Sequence, residues 1–185
     1  MGKLTWSINV TLDGCCDHMH VVADAELHAY ATEVLDQSDC LLFGRATYEL
    51  LESYWPLVAR GESAETDEVL IDFARKLDAK RKFVVTRTLD QVSWNASVVQ
   101  GDVGDAVRRL KDEQGRILIF GSPGLGSSLT QLGLVDEHHF LLQPIAAGHG
   151  PHLFDGAANR HFRLLGTQCF ASGVILARQG AAPAP

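Results

Sequence analysis

The run Phe43-Gly44-Arg45-Ala46-Thr47-Tyr48 puts a glycine at the end of an apolar segment, an arginine at the start of the helix expected next and a hydroxyl in its first turn. Unpaired helix N–H groups, the helix dipole and a guanidinium would then converge on one phosphate. Phe120-Gly121-Ser122-Pro123-Gly124 repeats the arrangement. There glycine permits close backbone approach, Ser122 can donate to an oxygen, and another helix offers its N-terminus. Two such junctions on one sheet suit a dinucleotide. Thr86-Arg87-Thr88 adds a basic, hydroxylated cluster at a third strand end, where an arginine accommodates a ribose 2′-phosphate and so favours NADPH over NADH. The competing reading of each feature is a tight turn with a solvated arginine. Gly121, Gly124 and Gly126 do not have the G-x-G-x-x-G spacing, and no Walker A sequence occurs.

Other candidate groups are weaker. His18-Met19-His20 and Cys15-Cys16 lie close together, but zinc needs three or four converging ligands at a spacing this chain lacks, so no metal site is predicted. His138 and His139, adjacent on a strand, should face opposite ways. Asp13 could touch substrate, although Asp13-Gly14 after a strand is first a turn signal. Tyr48, Tyr54 and Trp55 read as core or rim aromatics, and Cys40 and Cys169 as small buried hydrophobes.

These groups need a scaffold. Apolar residues at 4, 6, 8, 10 and 12 predict a strand with one buried face. Leu27, Tyr30, Ala31, Val34 and Leu35 predict a helix capped by Asp24. Cys40 to Phe43 reads as a strand covered on both sides, with a helix from Arg45 to about Ser53. Val58 to Thr66 reads as a surface loop before a helix from Asp67 to Leu77. Lys82 to Thr86 and Ile117 to Phe120 are further strands. Between them lies a helix opened by Asp102 and closed by Gly115, and a last helix runs to Leu132. Beyond Asp136 only strands follow: Glu137 to Gln143, Phe162 to Phe170 and Val174 to Arg178. This order predicts a three-layer α/β/α sandwich with a mostly parallel central sheet and an antiparallel C-terminal hairpin. Residues 1–180 are expected to form a single domain, with 181–185 a disordered tail. Small ligands should bind beyond the carboxyl ends of the strands, in the loops after Leu12, Phe43, Thr86, Phe120 and Pro144.

Composition narrows the partners. With 46% apolar and 21% charged residues, the 185-residue chain is that of an ordinary globular protein. Sixteen Lys and Arg against 23 Asp and Glu give a net charge of −7, which argues against a general nucleic-acid binder. No apolar run is long enough for a membrane span, and the N-terminus lacks a secretory pattern, so a cytoplasmic location is expected.

Thr11-Leu12-Asp13-Gly14, Leu41 through Glu49, Gly121-Ser122, Gly133 through Glu137 and Pro144 through Phe154 occur in an order that resembles the dihydrofolate reductase-like superfamily. Within it they resemble the branch of the reductase domain of the bifunctional riboflavin biosynthesis protein. The resemblance implies an NADPH-dependent reductase of a small pterin-like or pyrimidine-like heterocycle, similar to the 5-amino-6-(5-phosphoribosylamino)uracil reductase step. Gly44, Arg45 and Thr47 would lie near phosphates, Thr86 and Arg87 near the adenosine ribose, and Gly121, Ser122 and Leu125 near the pyrophosphate. It also implies Thr11 and Gly14 beside the nicotinamide and a homodimer, and counting back from Gly44 by the spacing of the superfamily's pterin-binding carboxylate lands near His28, which joins Asp13 as a candidate substrate contact. The alternatives are a non-catalytic nucleotide-binding or regulatory protein and a dihydrofolate reductase proper. The zinc deaminase domain of the bifunctional protein has no counterpart in this sequence.

Overall fold

In the computed structural model, residues 2–156 and 158–182 are described, and these form eight strands and six α-helices. Strands β1 (Lys3–Thr11), β2 (Cys40–Gly44), β3 (Arg81–Val85), β4 (Ala96–Val99), β5 (Arg116–Phe120), β6 (Glu137–Gln143), β7 (Phe162–Cys169) and β8 (Ile175–Ala181) join in one sheet. Its order is β4-β3-β2-β5-β1-β6-β8-β7. Every neighbour pair from β4 to β6 is parallel, and β8 and β7 close the edge antiparallel. Helices α1 (Ala25–Asp36), α2 (Arg45–Glu52), α3 (Trp55–Arg60) and α4 (Glu68–Ala79) cover one face. Helices α5 (Val103–Gln114) and α6 (Pro123–Gln131) cover the other. The predicted three-layer sandwich is therefore observed.

Local chemistry explains the helix starts. Asp24, Asp67 and Asp102 accept from the backbone N–H groups of Leu27, Val69 and Asp105, satisfying donors the first helical turn leaves open. Each helix then turns its apolar stripe to the sheet: Leu27, Tyr30, Val34 and Leu35 of α1 join Phe73 and Leu77 of α4 in one core. The opposite core centres on Trp6, which is fully buried beside Ile8, Ile119 and Leu129. An added Cβ on Gly126 would lie 2.0 Å from the Trp6 ring, so glycine is what lets α6 pack this closely.

Several expectations need correction. The segment read as a loop from Val58 contains the end of α3, and Pro56 occupies its first turn, where a missing N–H costs nothing. Edge strand β4 was not foreseen, and its four residues are too short to show a period. Cys169 is exposed on edge strand β7, whereas Cys40 is buried as predicted. The expected tail begins too early, because Ala181 still pairs with Phe162; residues 183–185 lie outside the described residues. β1 is central and covered on both faces for most of its length: alongside its apolar positions, Ser7 and Thr11 are each only 2% exposed, while Lys3 at its start is exposed.

Candidate functional site

The carboxyl ends of β2 and β5 adjoin because these strands pair directly in the sheet. Gly44 and Ser122 are the N-caps of α2 and α6, and here the cap chemistry differs from α1, α4 and α5. Neither helix has a side-chain cap hydrogen bond or an acid in its first turn. Their N-terminal N–H groups and positive dipole ends are left for an anion.

The two junctions are tied together. Ser122 Oγ accepts from the Gly44 N–H at 3.0 Å, and the Ser122 N–H donates to Thr47 Oγ1 at 3.1 Å. Trp6 Nε1 donates to the Gly121 carbonyl at 2.8 Å. These bonds hold Gly121 and Ser122 at φ of 69° and 51°. For serine this left-handed backbone is strained, and only such bracing maintains it.

A cavity lies on either side of this junction. One, of about 890 Å³, is lined by Gly44, Arg45, Thr86, Arg87, Gly124 and Leu125, together with the Gln100–Gly104 loop. Arg45 reaches it from the first residue of α2 and makes only a long contact with Glu49, 3.3 Å at its closest. Asp90 and Asp102 also line it, but Asp102 is committed to capping α5. A Cβ on Gly124 would meet no atom within 4 Å, so the backbone at the α6 N-terminus faces open space. This donor set fits a phosphate-bearing nucleotide: two guanidiniums, two open helix ends and a bare backbone.

The second cavity, of about 580 Å³, lies on the α1–α4 side of the sheet and is lined by Thr47, Gly121 and Ser122 from the junction. Its walls include Leu27, Leu50, Leu51, Trp55, Phe73 and Phe120, and its floor includes Ser7 and Asn9 of β1. His28 of α1 lines it as well. Tyr30, another lining residue, has its hydroxyl 2.6 Å from His139 Nδ1. His139 Nε2 in turn lies 2.8 Å from Glu137, which also pairs with Lys3. Burial would push Glu137 up, but hydrogen bonds from Lys3 and His139 outweigh it and hold the carboxyl below its ordinary value. Burial pushes the Tyr30 phenol well above its ordinary value and His139 below its own.

Of the residues singled out from sequence, Gly44, Arg45, Thr86, Arg87 and Leu125 thus meet in one cavity, and Thr47, Gly121, Ser122 and His28 in the other. Thr11, Asp13 and Gly14 line neither. Their polar groups close a loop instead. Thr11 donates to Asp13, whose carboxylate also accepts from the N–H groups of Ala147 at 3.0 Å and Gly148 at 2.6 Å. Those bonds, led by Thr11, hold the Asp13 carboxyl far below the usual range. Gly14, at φ 87°, accepts from the Leu153 N–H at 2.9 Å. Sequence reasoning missed Ser7, Asn9 and Phe73. The unbroken polar alternation Thr5, Ser7, Asn9, Thr11 on a central strand was the available signal for the first two.

Residues 2–176 match the RibD C-terminal domain, and the chain belongs to that family. Among individual proteins, it is 28% identical over 178 residues to the uncharacterized protein YyaP of Bacillus subtilis (strain 168), covering 94% of this chain and 92% of YyaP. Its fold is similar to that of a putative riboflavin biosynthesis protein from Shewanella sp. PV-4, with a TM-score of 0.72 at 17% identity over 98% of this chain and 99% of that one. A diaminohydroxyphosphoribosylaminopyrimidine deaminase/5-amino-6-(5-phosphoribosylamino)uracil reductase from Thermotoga maritima gives a TM-score of 0.68 at 16% identity. That match covers 98% of this chain and 57% of the Thermotoga protein. Among the described residues no helix is long and apolar enough to cross a membrane.

Proposed function

We propose that this protein is a cytoplasmic, NADPH-dependent reductase of a small pterin-like or pyrimidine-like heterocycle. The observation that carries the reading is the division of the cleft: an arginine-lined cavity and an apolar one meet at the Gly44–Ser122–Thr47 junction. The adenosine phosphates fit the first, with Arg87 and Thr86 toward the 2′-phosphate and Arg45 and the two open helix ends toward the pyrophosphate. Nicotinamide and substrate share the second. A bound NADPH supplies hydride there, and the residues of this chain orient the two rings and exclude water. Membership of the RibD C-terminal domain family supports the same reaction class.

The reading includes a homodimer, supported by edge strand β7, where Leu164 is 58% exposed. Sedimentation of the purified protein checks it, and a monomer at micromolar concentration overturns that part. The decisive experiment for the cofactor is calorimetric titration with NADPH and, separately, NADH. Micromolar NADPH binding that greatly exceeds NADH binding is expected, and no binding of either refutes the assignment.

A further inference from the structure

We infer that the apolar cavity selects an uncharged, flat heterocycle and rejects phosphorylated substrates, so the molecule reduced here carries no phosphoribosyl arm. This rests on the assignment of the two cavities to nucleotide and substrate.

Charge is distributed unequally across the cleft. The nucleotide cavity holds Arg45 and Arg87, whereas no Lys or Arg is among the described residues lining the other. The acid there is Asp17, whose carboxylate accepts from the Met19 N–H at 3.0 Å and lies 3.3 Å from His18 Nδ1. A phosphate entering this cavity would lose its hydration and face a carboxylate, and the lining offers it the imidazoles of His18 and His28 but no guanidinium or ammonium to replace the water. Guanidiniums are the strongest partners for a phosphate, and among the described lining residues this chain places them, Arg45 and Arg87, only on the far side of the junction.

The walls suit a flat ring. Trp55 and Phe73 meet edge to face at 4.9 Å and 73°, and Phe73 continues to Phe120 at 6.0 Å. Against these aromatic surfaces the floor supplies neutral hydrogen-bonding groups. Asn9 accepts from Gln143 Nε2 at 2.9 Å through its amide oxygen, which leaves the NH2 group as what Asn9 can offer a ring carbonyl or ring nitrogen. Ser7 adds a hydroxyl on the same floor. Apolar walls with a few neutral polar anchors are how a site orients an uncharged heterocycle.

The test is calorimetric titration of the full chain, with and without NADPH, against three probes. These are 5-amino-6-ribosylaminouracil, its 5′-phosphate, and quinoxaline as an uncharged bicyclic ring. The uncharged probes should bind more tightly than the phosphate by about tenfold or more. Leu50→Arg, at a rim position already 43% exposed, should narrow that gap by about tenfold by supplying the missing cation. Phosphate binding as tight as that of the nucleoside overturns the inference. So does failure of both uncharged probes to bind, or a gap unchanged in a folded Leu50→Arg protein. The NADPH titration is separate: its failure removes the nucleotide assignment, while the nucleoside-to-phosphate comparison still decides which charge the apolar cavity accepts.

Discussion

Replacing Gly124 with aspartate should stabilise the fold and weaken nucleotide binding about 100-fold in the same molecule. Gly124 is the second residue of α6, and its added side chain meets no protein atom within 4 Å. An acid in the first turn of a helix contributes about 0.3–1 kcal/mol, and leaving glycine for a better helix former adds a few tenths more. A gain of about 1 kcal/mol raises Tm by about 2–4 °C for a chain of this size. The same carboxylate points into the cavity assigned to the phosphates. At a separation of about 5 Å and an effective dielectric of about 20, two like unit charges repel by about 3 kcal/mol. That corresponds to a loss of about 100-fold in NADPH affinity. Thermal melting and calorimetric titration of Gly124→Asp and Gly124→Asn separate the two effects, since the amide fills similar space without the charge. Gly124→Asp protein that melts at or above the wild-type temperature and binds NADPH unchanged would refute the placement of the phosphates. An equal loss in Gly124→Asn would assign the effect to bulk rather than charge.

Arg45→Ala should weaken NADPH binding by about 1–3 kcal/mol with the fold intact, and unchanged affinity would remove Arg45 from the site. Arg87→Ala should lower affinity for NADPH more than for NADH; an equal loss for both in calorimetry would place Arg87 away from the 2′-phosphate. Gly126→Ala drives a methyl into buried Trp6 and should destabilise by about 1–3 kcal/mol, read as a lower denaturant midpoint. His138, packed against Trp6, Phe140 and Phe162, is pushed down by burial to about 4 from 6.5. The unfolded chain therefore binds the extra proton between those pH values, so the stability His138 contributes is full above pH 6.5 and falls by about 3 kcal/mol toward pH 4. Urea melts across that range should show this slope and become shallower in His138→Phe, with what remains coming from groups such as His139, which burial also lowers; an unaltered slope would assign the acid sensitivity elsewhere.

Local patterns carried most of the architecture. Asp24 and Asp102 announce α1 and α5 because a cap acts within a few residues, and the apolar runs at Cys40 and Ile117 announce strands buried on both faces. Helix α3 escaped notice because Pro56 breaks a helix interior but is welcome in a first turn, and only the structure distinguishes the two. The junction residues stood out in the sequence because a glycine beside a strand end and an arginine at a helix start are the types a phosphate site would use, and the structure brings Gly44, Thr47 and Ser122 together. The apolar cavity was not. Its apolar walls are drawn from several helices and strands, and Leu27, Leu51, Trp55, Phe73 and Phe120 each look like ordinary core in their own segments. Asp13 illustrates the reverse failure: a carboxylate at a strand end reads as available until the partners that occupy it, from Thr11 to Gly148, are seen.

The hydrogen bonds through Ser122 also give the two halves of the cleft a shared support. Thr47 belongs to the wall of one cavity and Gly44 to the wall of the other, and a single strained residue holds both. Whatever fills one side and resets that residue alters the free energy of filling the other. With nucleotide and substrate in the two cavities as proposed, any effect of one on the affinity of the other must be equal in both directions. Replacing Ser122 by glycine, which adopts the same backbone without strain and keeps the N–H that donates to Thr47 but loses the hydroxyl that accepts from Gly44, would cut one of the two ties between the cavities.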